Sequence, residues 1–81
     1  MTYQVIWEPE ALVQAERFAK SDPQGVRLLF AAVDRLSNDP RPKESFGSAD
    51  LLRIHVGRYR VLYEISDRRV RVTVIHLGRM R

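Results

Sequence analysis

Hydrophobic spacing divides the chain into a helical first half and a strand-rich second half. Residues 2–7, TYQVIW, are β-branched and aromatic and predict a first strand. From Pro9 the period changes. Leu12, Ala15 and Ala19, widened by Ala11 and Phe18, fall at helical spacing over 9–20. Pro9 suits the first helical position, and Glu10 suits the positive end of the helix. Asp22 then caps a second helix that opens on Pro23, with Val26, Leu29, Val33 and Leu36 as its apolar stripe and Phe30 and Ala32 beside it. Ser37-Asn38-Asp39-Pro40 ends that helix. The short link at 20–22 makes the two helices an antiparallel hairpin.

Residues 39–50, DPRPKESFGSAD, are rich in turn formers and predict a surface loop, anchored on the core by Phe46. Beyond the loop the period is two. Leu52, Ile54 and Val56 alternate with Arg53 and His55, and Gly57 interrupts the run as a tight turn requires. The alternation resumes with Tyr59, Val61 and Tyr63 on one side and Arg60, Leu62 and Glu64 on the other. Ser66-Asp67-Arg68 predicts a turn. RVRVTVIHL, 69–77, predicts the last strand, with Val70, Val72 and Val74 on one face. By that parity His76 falls on the core side, and Tyr59, Tyr63 and Trp7 also belong to the core. The order β-α-α-β-β-β predicts a single α+β domain over residues 1–81. Its sheet is expected to be antiparallel and twisted, with the helical hairpin packed on one face and Arg53, His55 and Arg60 on the other.

Charge sharpens this picture. Residues 1–40 hold four Lys/Arg against six Asp/Glu, a balance of −2, while residues 41–81 hold ten against four, a balance of +6. Nine of those ten are arginine and one is Lys43. Arginine's planar fork matches phosphate oxygens bidentately. The absence of cysteine excludes disulfides and thiol chemistry. Two histidines at 55 and 76, with no cysteine, do not make a metal site, and no cofactor is implied. No apolar run reaches the roughly 20 residues of a membrane span, and the N-terminus lacks a basic region followed by an apolar one. A cytoplasmic protein is the expectation.

The combination of DPRP, then LLRIHVGRYRVLYEI and a valine-rich last strand, resembles the RelE/ParE toxin superfamily of bacterial type II toxin–antitoxin systems. The resemblance runs from the first strand to Gly78 and is most specific over 53–65, where a basic–apolar–basic strand, a glycine turn and Tyr59-Arg60 follow in order. It implies a compact toxin neutralised by a cognate antitoxin. In the RelE branch such a toxin is a ribosome-dependent endoribonuclease that cleaves mRNA on the ribosome and contacts 16S rRNA. In the ParE branch the same fold inhibits DNA gyrase without cutting RNA. A third possibility is a family member that mainly binds its antitoxin. The tail departs from the pattern, with Met80 where an arginine is expected and no terminal tyrosine after Arg81.

Carried over by position, the resemblance assigns catalysis to Arg53, His55 and Arg60, with Arg79 or Arg81 standing in for the family's C-terminal basic residues. RNA is cleaved without metal when its 2′-hydroxyl attacks the adjacent phosphorus. Arginines stabilise the charge that develops on the phosphorane, and histidine is the natural proton-transfer group near neutral pH. The expected division of labour gives His55 the proton and Arg53 and Arg60 the scissile phosphate. Arg58, Arg69, Arg71 and Lys43 are expected to contribute RNA attraction through phosphate contacts.

Overall fold

The helical hairpin forms where its caps and stripes place it. In the computed structural model, which describes residues 2–80, a first strand β1 (Gln4–Trp7) leads into α1 (Pro9–Ser21) and α2 (Pro23–Arg35). The Asp22 side chain accepts the Gly25 amide at 3.0 Å and caps α2, while Pro23 occupies its first position. Val26, Leu29, Ala32, Val33 and Leu36 are all buried, as the stripe requires. In α1 the buried line is Ala11 and Ala15, whereas Leu12 is 39% exposed. Alanines bring α1 close onto the sheet, which leaves the longer Leu12 at the rim.

Four further strands complete the sheet: β2 (Phe46–Ser48), β3 (Leu51–Val56), β4 (Tyr59–Ser66) and β5 (Arg71–Arg79). Their order across the sheet is β1-β5-β4-β3-β2. The later strands are antiparallel, but β1 runs parallel to β5, so the sheet is mixed rather than wholly antiparallel. Antiparallel pairing follows from tight hairpins. The chain between β1 and β5 is a long crossover that includes both helices, which permits the parallel pair. Among the described residues no helix is long and apolar enough to cross a membrane.

One face of this sheet meets the helices. Leu52, Ile54, Val61, Tyr63, Ile65, Val72 and Val74 pack there against Leu29, Val33, Leu36, Ala11 and Ala15. Tyr59 and Tyr63 are buried to the ring, as expected, and each keeps its hydroxyl paired. Tyr59 donates to Asp22 Oδ2 at 2.7 Å and Tyr63 to the Pro40 carbonyl at 2.8 Å. Trp7 is half-buried and tilts against Phe30, with ring centroids 4.9 Å apart. At the end of the sheet where β1 begins, Arg41 bridges Asp50 and Asp67, both at 2.9 Å, and Tyr3 donates to Asp67 at 2.6 Å. That clip ties the long loop to two strand connections.

Three local expectations change. Residues 46–48 are a strand rather than loop, and Phe46 is 45% exposed instead of anchoring the core. Pairing of Phe46 with Arg53 puts its ring on the helix-free face. Val70 does not belong to the last strand; it adopts φ 53° in the turn, and β5 begins at Arg71. The third change carries the site. Leu62 pairs with His76 but Tyr63 pairs with Val74, which leaves Ile75 unopposed in a β-bulge. The bulge reverses parity, so Leu77 is buried and His76 faces outward, contrary to the core position expected for it.

Candidate functional site

The helix-free face is where the cationic side chains gather. Strand register lays Phe46, Arg53, Leu62 and His76 in one row across four strands, with His55, Arg60 and Gly78 in the next row of the same face. Phe46, Leu51, Arg53, Arg60, Leu62 and His76 line a cleft of about 530 Å³. Arg53 is half-buried, and its guanidinium lies 5.0 Å from the centre of the Phe46 ring. This cation–π contact fixes the guanidinium without neutralising it. Arg60 is exposed. The ion pairs among the described residues are those of Arg41, so the cleft arginines keep their charge available for a ligand.

His55 sits at the rim of this arrangement. Its ring meets Phe46 edge-on, with centroids 5.2 Å apart and planes at 87°. It lines a separate groove, between the end of α2 and the edge of β3, together with Leu36, Pro42 and Ile54. The cleft itself contains the other histidine. His76 lies beside Gly78, where an added Cβ would stand 3.5 Å from the imidazole Nε2. Sequence reasoning missed His76 because it extended the parity of Val72 and Val74 through Ile75. A signal was present: Val72, Val74 and Leu77 cannot share one face of a regular strand, so an apolar set that changes parity marks a bulge.

Arg79 lines the end of the same cleft as Arg53 and Arg60, but its charged group is turned away from theirs. Its guanidinium lies 4.7 Å from the centre of the Phe18 ring and donates to Ser21 Oγ at 3.2 Å, on the helical side. Arg58, exposed in the β3–β4 turn, lines a hollow on that side with Asp22 and Arg79. Asp22 is the hub of this corner. Hydrogen bonds from the Tyr59 hydroxyl first, then from the Gly25 amide, hold its carboxyl below the usual carboxylate range. Burial first, then the bond to Asp22, pushes the Tyr59 phenol up. This corner buttresses the cleft from behind through Tyr59, which pairs with Arg79 across the sheet.

The remaining cations are dispersed. Arg69 and Arg71 lie at the far end of the sheet, in and after the β4–β5 turn, where they line a hollow with Glu64 and Asp67. Lys43 is exposed in the long loop. Arg81 lies outside the described residues. The cleft therefore combines the guanidinium groups of Arg53 and Arg60, a histidine and an aromatic wall in a concave apolar setting, with Arg79 at its end directing its charge to the hairpin. Such a set can clamp a phosphate, cover an apolar ring and move a proton.

Solved structures of similar fold place the molecule in a class. The chain matches a chain of the RelBE2 toxin–antitoxin complex from Mycobacterium tuberculosis with TM-score 0.81 and 20% identity, over 98% of this chain and 92% of that one. It matches the RelE–RelB complex from Pyrococcus horikoshii with TM-score 0.79 and 24% identity, over 98% and 96% of the two chains. It also matches the isolated E. coli RelE toxin with TM-score 0.80 and 22% identity, over 98% and 85%. The fold is thus that of the RelE-like toxins, two helices on a five-stranded mixed sheet. A search of curated proteins gives no match. The family model of the ParE toxin of type II toxin–antitoxin systems, parDE, matches residues 5–81, and the chain belongs to that family, within the RelE/ParE superfamily.

Proposed function

We propose that this toxin acts on RNA, as a ribosome-dependent mRNA endoribonuclease of the cytoplasm that inhibits translation. One observation carries the reading: the face left open by the helices bears a cleft in which Arg53, Arg60 and His76 converge beside Phe46. In the proposed reaction the 2′-hydroxyl attacks the adjacent phosphorus and the 5′-oxygen leaves. Arg53 and Arg60 hold the phosphate oxygens and stabilise the phosphorane; preorganised donors of this kind contribute several kcal/mol, about 3 for one group. Arg58, Arg69, Arg71 and Lys43 lie away from the cleft and supply longer-range attraction to ribosomal RNA.

A cognate antitoxin is part of the proposal. Two of the solved relatives are toxin–antitoxin complexes, and the +6 balance of residues 41–81 favours an acidic, amphipathic segment as the inhibitor.

A second reading has its own support. The matching family is that of ParE toxins, and the guanidinium of Arg79, a residue at the end of the cleft, is turned to the helical hairpin. Under it the protein inhibits DNA gyrase by binding alone. Two assays separate the readings. Primer-extension mapping on translating ribosomes gives A-site cuts if the nuclease reading holds. Loss of gyrase supercoiling with intact mRNA refutes it in favour of the second.

A further inference from the structure

Resting on the nuclease reading, we propose that His76, and not His55, is the catalytic residue that takes the proton from the attacking 2′-hydroxyl. Three observations point to it. First, His76 is the histidine that lines the cleft, whereas His55 lines the groove beyond the edge of β3. Second, its outward aim comes from a backbone irregularity at one residue, Ile75. Without the bulge the imidazole would enter the core beside Val74, where an unpartnered polar ring costs about 1–3 kcal/mol. Bulges re-aim side chains in this way beside active sites. Third, glycine at position 78 leaves the space next to the imidazole Nε2 unfilled.

The geometry suits one phosphodiester. Arg60 pairs with Gly78, so His76 is its diagonal neighbour on the same face, and such neighbours stand roughly 7–8 Å apart. Arg53 and His76 flank Leu62 in the same row, which separates them by roughly 9–10 Å, two strand spacings. A phosphate held by both arginines places its ribose toward the third corner of that triangle, where His76 stands. The step balances without a further reagent. The 2′-O–H proton passes to His76, the 2′-oxygen bonds to phosphorus, and the P–O5′ bond breaks. Water protonates the departing 5′-oxygen, and the imidazolium returns its proton to solvent. The products are a 2′,3′-cyclic phosphate and a 5′-hydroxyl. His55 retains a positioning role, through its edge contact with Phe46.

Single-turnover cleavage on programmed ribosomes, with wild type, His76→Gln and His55→Gln, tests the assignment. His76→Gln should lose about a hundredfold or more in rate, as removal of a general base does, and His55→Gln less than about tenfold. Binding of a short single-stranded RNA by His76→Gln should stay within about threefold, since the phosphate clamp is intact. Free imidazole should restore part of the activity of His76→Ala, which a structural role would not allow. If His76→Gln cuts within about tenfold of wild type, or loses RNA binding in step with cleavage, the assignment is overturned while the nuclease reading stands. If wild type itself leaves mRNA uncut, both fall. His76 is exposed, so thermal melting of both variants should match wild type; His76→Asn serves as the alternative if either melts early.

Discussion

Replacing Arg53 and Arg60 by glutamine removes two charges from the cleft, and the effect on RNA binding follows from counterion release. Neither guanidinium belongs to the ion pairs of the described residues, so both are available to neutralise phosphate. Each phosphate neutralised on a single strand contributes about 0.7 to the slope of log K against log salt. Arg60→Gln should therefore make the slope less negative by about 0.7, and the double variant by about 1.4. The same relation gives about a fourfold loss of affinity per contact at ~0.15 M salt and about eightfold at ~0.05 M. For the double variant at ~0.15 M the loss is about 14-fold. Fluorescence anisotropy of a labelled single-stranded RNA over a salt series measures both quantities. Arg60→Gln should leave stability within about 0.5 kcal/mol, while Arg53→Gln gives up a cation–π contact worth about 0.5–1 kcal/mol. Arg17→Gln, on the exposed side of α1, is the control and should leave the slope unchanged. If the double variant keeps the wild-type slope, the cleft does not hold phosphate and the reasoning fails.

Three further outcomes test the fold beneath the site. Leu29 is 0% exposed, so Leu29→Ala should cost about 2–5 kcal/mol by urea unfolding, and a loss under about 1 kcal/mol would contradict the packing of α2. Gly57 has φ 59° and no atom within 4 Å of an added Cβ, so Gly57→Ala should be destabilised by about 1 kcal/mol from backbone strain alone; an unchanged denaturation midpoint would argue against that turn. Hydrogen bonds from Arg41 first, then from Tyr3, hold the Asp67 carboxyl below its ordinary value of 3.8. A depressed carboxylate stabilises the fold above its unfolded value and loses that contribution as pH falls through the folded one. The melting temperature should therefore drop on acidification below about pH 4, and less steeply in Asp67→Asn.

Several parts of this structure were legible in order along the chain, because each depends on neighbours in sequence. Asp22-Pro23 marked the start of α2, and the capping bond to Gly25 forms as that pair requires. The alternation through Leu52–Val56 and Tyr59–Tyr63 placed Arg53, His55 and Arg60 on the same face, which the β3–β4 register reproduces. Other parts were not legible. Whether β1 runs parallel or antiparallel to β5 is decided by a pairing across nearly the whole chain. The outward turn of Phe46 depends on pairing with β3 after a loop of prolines. The Arg79 guanidinium lies on the helical side because it stacks on Phe18 and reaches Ser21, both far from it in sequence.

By itself the sequence determined the helical hairpin, the turns that join β3, β4 and β5, the cationic face and the family pattern, since these rest on local periodicity, caps and charge. Tertiary structure alone decided which of the cations and histidines meet. The deciding element is the bulge at Ile75, which exists because Val74 and Leu77 both find room in one core. The change of apolar parity between Val74 and Leu77 signals an interruption, but a period of two does not record which residue takes it or that the core accepts both side chains. Only the competition of two apolar side chains for the same interior sets that point, and it turns His76 from the core to the cleft.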